Sequence, residues 1–125
     1  MNLLIGKWKS ELGSVLNVES IENNQLVGTF TTHTGSTQGT YLMAGSIGFD
    51  ENLSVQEEGG AIGWSVSWNS GKSPENSVTT WTGQLCMNAD GDTVIVATWL
   101  YSRGTKPDEN WNSTLIGSNT FVRIE

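Results

Sequence analysis

Residues 63–83 read GWSVSWNSGKSPENSVTTWTG, two tryptophan-bearing runs joined by a polar, glycine-containing turn. Side chains alternate between faces along a strand, so the first run sets Trp64, Val66 and Trp68 on one side and Ser65, Ser67 and Asn69 on the other. The second run behaves differently. Its tryptophan face also carries Ser77 and Thr79, while Val78, Thr80 and Thr82 point the opposite way. A buried hydroxyl left without a partner costs about 1–3 kcal/mol, so a face buried only for packing would be apolar. Indoles and hydroxyls sharing an inward face instead imply a lined cavity that holds a small polar ligand.

The rest of the chain fits this hairpin into an all-β architecture. The sequence has 125 residues, 15 Gly and only two Pro, the span of one domain over residues 1–125. Ser, Thr and Asn are scattered every eight to twelve residues, and no window shows a sustained helical period. Strands are expected at residues 5–10, 14–21, 25–32 and 40–49, then the two runs above, then at residues 92–102 and 119–124. Polar connections are expected at residues 32–39 and 104–111, the latter with a helical turn. Eight consecutive strands without a crossover helix predict an antiparallel up-and-down β-barrel, since closure removes exposed strand edges. In the seventh strand Ile95, Ala97, Trp99 and Tyr101 share one side and Val94, Val96 and Leu100 the other. A doubly apolar strand in an antiparallel sheet implies that its outer face is covered, most simply by a second copy of the chain.

Composition argues against several functions. A formal net charge of −7, with six basic residues spread singly, disfavours nucleic acid and anionic membranes. No apolar run approaches a membrane span, and no charged-then-apolar signal segment opens the chain. His33 is the only histidine and Cys86 the only cysteine, so neither a histidine-paired nucleophile nor an internal disulfide is expected, and Cys86 reads as a buried structural thiol. The acidic pairs Glu57-Glu58 and Asp108-Glu109 point apart along the backbone and read as solvated. No metal-ligand or phosphate-loop spacing is present. A catalytic activity, a metal and a cofactor are all unsupported.

Seven segments in order, GKW (6–8), LGS (12–14), LVGTF (26–30), GWSVSW (63–68), SVTTWTGQ (77–84), TWL (98–100) and WNSTLIGSNTF (111–121), resemble the avidin and streptavidin family and take in all six tryptophans. The resemblance implies an eight-stranded barrel that binds biotin non-catalytically inside one end, sequestering the vitamin, in a secreted homotetramer. It implies that Trp68, Trp81 and Trp99 enclose the ligand, with Tyr101 on the same strand face as Trp99, and that Trp111 reaches a neighbouring subunit's site. Trp8 and Trp64 resemble structural positions. Ser14 matches the hydroxyl donating to the ureido oxygen, Asn119 and Thr32 the groups facing the ureido N–H groups, and Thr79 the hydroxyl near the thioether. Ser77, Gly35 and Ser36 match positions that meet the carboxylate. Two positions depart from the pattern. Where the family has Asn and Tyr donors to the ureido oxygen this chain has Ser10 and Phe30, so weaker binding than in the tightest members is expected. The competing readings are a barrel that has kept the scaffold but takes another small polar ligand, such as a sugar or a ureido compound, and an interaction protein working through its outer apolar strand.

Overall fold

The computed structural model describes residues 3–33, 38–50, 52–69 and 74–124. Eight strands follow in chain order: β1 (Gly6–Ser10), β2 (Val15–Glu22), β3 (Gln25–Thr32), β4 (Gly39–Ile47), β5 (Gly60–Asn69), β6 (Pro74–Met87), β7 (Thr93–Arg103) and β8 (Thr114–Arg123). Each pairs antiparallel with the next, and β8 returns to β1, so the sheet closes into the expected barrel.

Local chemistry sets the turns. Asn23 and Asn24 both adopt positive φ (53° and 64°), the conformation a two-residue hairpin needs and one that Asn tolerates. Between β6 and β7 the Asn88 side-chain oxygen accepts from the backbone N–H groups of Asp90 and Asp92, and Gly91 supplies φ 85°. Gly28 pairs with Val18 beside the irregularity in β2 between Val18 and Ser20, and a Cβ there would sit 1.8 Å from the Asn17 carbonyl oxygen. Only glycine allows the two strands to approach this closely.

Three boundaries differ from the sequence reading. β8 begins at Thr114, five residues before the expected start at Asn119, because Leu115 and Ile116 pair with Tyr101 and Leu100 of β7. These residues lie in a Ser/Asn/Gly-rich setting that imitates a loop. β5 begins at Gly60, before the tryptophan-bearing run that opens at Gly63, and β6 continues to Met87, beyond the end of the second run at Gly83. Cys86 is only half-buried and free, not the buried thiol expected, because it falls on the outward alternation of β6. The connection from β7 to β8 contains the expected helical turn, a 3-10 segment at Pro107–Asn112.

The interior divides by height. At one end Leu4, Trp8, Leu16, Leu26, Leu85, Ile95 and Phe121 are fully buried and fill the barrel. Trp8 donates from Nε1 to the Leu4 carbonyl at 3.0 Å, which satisfies the indole and folds the preceding segment under the barrel. Arg123 at the end of β8 donates to the Leu3 and Ile5 carbonyls at 2.9 and 2.6 Å and lies 5.0 Å from the Trp8 ring centroid. This guanidinium ties the two ends of the chain together and closes the base. Replacing it with alanine should lower stability in urea unfolding by about 1–2 kcal/mol, from two lost charge-assisted hydrogen bonds and a cation–π contact in a solvent-exposed setting, and leave the opposite end of the barrel unperturbed.

Candidate functional site

The strands place a cavity at the end away from Arg123. Odd-numbered strands run toward this end and even-numbered strands start from it, so lining residues come from the C-terminal parts of the former and the first or middle parts of the latter. The cavity has a volume of about 200 Å³. Its walls are Phe30, Trp68, Trp81, Trp99 and Tyr101, with Leu12 and Leu115 at the mouth. Its polar groups are Ser10, Ser14, Thr32, Thr79 and Asn119.

Register puts the indoles in one row. Gly45 of β4 lies opposite Trp64, Trp64 opposite Trp81, Trp81 opposite Trp99, and Trp99 opposite Gly117 of β8. Trp64 and Trp81 stack with centroids 5.4 Å apart and an interplanar angle of 13°. The flanking glycines make the row possible. A Cβ on Gly117 would lie 2.1 Å from the Trp99 ring, and one on Gly45 would lie 2.0 Å from the Gly63 carbonyl oxygen and 2.8 Å from Trp64 Cβ. Phe30 packs tilted on Trp81 at 4.7 Å and edge-on to Trp68 at 6.1 Å. Trp64 and Phe121 meet edge-on beneath them, which makes the cavity floor a continuous aromatic cluster.

Hydrogen bonds aim the polar groups. The irregularity between Ser67 and Asn69 re-aims Trp68 at the end of β5, and its Nε1 donates to Thr79 Oγ1 at 2.8 Å. Thr79 accepts in this pair, so its own proton remains to be donated. Ser10 is 6% exposed and its Oγ accepts from the Ser14 backbone N–H at 3.2 Å, again leaving a hydroxyl proton. The turn that holds Ser14 is tightened by the Gly13 N–H donating to the Ser10 carbonyl, with Gly13 at φ 89°. Trp81 donates from Nε1 to Asn119 Oδ1 at 3.1 Å, and the Asn119 amide nitrogen donates to Glu11 at 2.7 Å. Asn119 Oδ1 keeps one lone pair for a ligand N–H.

Ten residues named from sequence thus line one cavity: Ser10, Ser14, Phe30, Thr32, Trp68, Thr79, Trp81, Trp99, Tyr101 and Asn119. Ser77 is buried on the same face of β6 but does not line it, and its hydroxyl has no partner among the described residues. Trp111 lies on the 3-10 segment, 81% exposed and outside the cavity of its own chain. Gly35 and Ser36 fall outside the described residues. Leu12, Leu115 and Glu11 were not legible as site residues, because each sits in a turn or a loop-like stretch whose neighbours across the barrel only closure supplies. Among the described residues, no cluster of three or more His, Cys, Asp or Glu could hold a metal ion.

The fold and the site together define a closed antiparallel β-barrel with an aromatic-walled, polar-pointed cavity at one end. The avidin family model matches residues 1–124, and the chain belongs to the avidin family. It is similar to avidin-related protein 4/5 of Gallus gallus, with 26% identity over 123 residues covering 97% of this chain and 77% of the relative. It is also similar to avidin of Gallus gallus, with 24% identity over 123 residues, 97% of this chain and 78% of that protein.

Gly117→Ala tests the row directly. The added methyl must displace the Trp99 ring, and overpacking of this kind costs about 1–3 kcal/mol. Tryptophan emission and near-ultraviolet circular dichroism should change while the far-ultraviolet strand signal stays.

Proposed function

We propose that this protein binds biotin without chemical turnover, holding the bicyclic ring among Trp68, Trp81 and Trp99 and meeting the ureido group with Ser10, Ser14, Thr32 and Asn119. The observation that carries this reading is the convergence of four polar side chains on one end of an aromatic cavity in a chain of the avidin family. An enclosed ureido group needs acceptors for its N–H groups and donors for its oxygen. Asn119 Oδ1 accepts. The Ser10 and Ser14 hydroxyls donate, and the Thr32 hydroxyl serves as the second acceptor. The thioether lies by Thr79, and the carboxylate points toward the mouth.

The oxygen pocket is thinner than the family pattern provides. Phe30 offers a ring edge where a phenol would donate, and Ser10 is a short side chain already engaged as an acceptor. Affinity is therefore lower than in the tightest family members, with the tryptophan enclosure supplying most of what remains. Titration calorimetry with biotin should give one site per chain. Phe30→Tyr should tighten binding by about 0.5–1.5 kcal/mol, roughly 2- to 12-fold, as it restores one hydrogen bond, and Ser10→Asn by less, as a longer donor replaces a short one. No heat and no change in emission would mean that the barrel takes a different small polar ligand, and would overturn the biotin reading.

The functional form proposed is a secreted homotetramer in which Trp111 covers a neighbour's cavity. Support comes from two exposures: Trp111 itself, and an outward apolar surface of Val78, Val96, Leu100, Ile116 and Val122 on β6, β7 and β8, each at least 42% exposed. A patch of this kind on a soluble barrel marks an interface between copies. Leu100→Asp should lower the mass measured by sedimentation equilibrium. Trp111→Ala should leave that mass unchanged and speed biotin dissociation at least tenfold.

A further inference from the structure

β1 has only five residues, and its pairing with β8 stops at Ser10 opposite Phe121. Beyond that point the β1 side of β8 has no strand beside it. Glu11, the residue after β1, takes over the seam: Oε2 accepts from the Thr120 backbone N–H at 2.9 Å, and Oε1 accepts from the Asn119 side-chain Nδ2 at 2.7 Å. On its other side Asn119 accepts the Trp81 indole N–H at Oδ1. These neighbours permit one amide orientation. An indole can only donate and an ionised carboxylate can only accept, so Oδ1 must face Trp81 and Nδ2 must face Glu11.

We propose that Glu11 is a positioning residue that locks the Asn119 amide with its oxygen toward the cavity, so that the site presents an oriented, neutral acceptor to a ligand N–H. The proposal deepens the biotin reading and rests on it for the ligand assay alone. Without Glu11 only the Trp81 indole holds the amide, and a rotation that presents its nitrogen, a donor, to a ligand donor is opposed by that single bond. The charge-assisted bond from Nδ2 to the carboxylate also polarises the amide and strengthens Oδ1 as an acceptor. Glu11 is exposed, so the negative charge stays in solvent while its effect is delivered inward through Asn119. Placing the charge on the cavity wall itself would require its desolvation. One consequence is that this barrel cannot use an acid at position 119 while Glu11 remains, because two carboxylates would meet where the 2.7 Å hydrogen bond now lies.

The test has a ligand-free arm and a ligand arm. In 15N-labelled protein without ligand, Glu11→Ala should shift the Asn119 side-chain NH2 resonances and broaden or move the Trp81 indole resonance. Glu11→Gln, whose carbonyl still accepts from Nδ2, should retain most of the wild-type Asn119 positions. In calorimetry with biotin, Glu11→Ala should weaken binding roughly 2- to 12-fold, the loss of one oriented hydrogen bond, with Glu11→Gln in between. In an Asn119→Ala background the same Glu11→Ala change should have no further effect. Asn119→Asp should weaken binding in the wild-type background and tighten it when combined with Glu11→Gln. An equal penalty for Glu11→Ala with and without Asn119, or unmoved Asn119 resonances, would reduce Glu11 to a seam-closing residue and overturn the proposal. Wild-type protein that fails to bind biotin would overturn the biotin reading alone, with the resonance arm still deciding the role of Glu11.

Discussion

The row Gly45, Trp64, Trp81, Trp99, Gly117 across five strands is the constraint on which the rest of the barrel depends. The glycines at the two ends of the row give it room, since a Cβ on Gly117 would meet the Trp99 ring and one on Gly45 would meet Trp64 and the Gly63 carbonyl. The same row is the lower limit of the cavity. Trp64 and Trp81 stack on each other, with Phe121 edge-on to Trp64 and Phe30 tilted on Trp81, leaving Trp99 and the upper edges of Trp68 and Trp81 to face the space above. Packing and site are therefore one structure, and a change in the row alters both stability and cavity shape.

Above the row, three of the polar groups are each aimed by a partner that uses part of their hydrogen-bonding capacity. Thr79 accepts from Trp68, Ser10 accepts from the Ser14 backbone, and Asn119 accepts from Trp81 while donating to Glu11. The remainder faces the cavity. This satisfies the indole N–H groups of Trp68 and Trp81, which would otherwise carry a desolvation cost, and it pre-sets hydroxyl protons and an amide oxygen toward a ligand. Preorganisation of this kind lowers the ordering cost of binding without adding contacts. Phe30 is the one wall position that adds packing to this arrangement and no polar reach.

The two ends of the barrel solve different problems. The base is sealed by Trp8, Leu4 and the Arg123 bonds to Leu3 and Ile5, which hold the N-terminal segment against the last strand. At the mouth β1 ends early, and Glu11 satisfies the backbone donor that its shortness exposes. Outside, Val96 and Leu100 carry the apolar outer face expected of β7, and within one chain both remain exposed.

Alternation in the stretch from Gly63 to Gly83 was enough to place Trp64, Val66, Trp68, Ser77, Thr79 and Trp81 on the inward face, since a strand has only two faces and the burial pattern follows the same period. Turn chemistry at Asn23-Asn24 and Asn88–Gly91 marked strand ends for the same local reason. The segments of β8 before Asn119 were illegible because Leu115, Gly117 and Ser118 alternate weakly and their β7 partners are distant in sequence. Composition, strand number and inward tryptophans are local properties, carried by residues a few positions apart. Barrel closure, the five-strand row with its glycine ends, the recruitment of Leu12 and Leu115 to the mouth, and the meeting of Glu11 with Asn119 across 108 positions belong to tertiary structure alone, because each depends on which strands the register brings side by side.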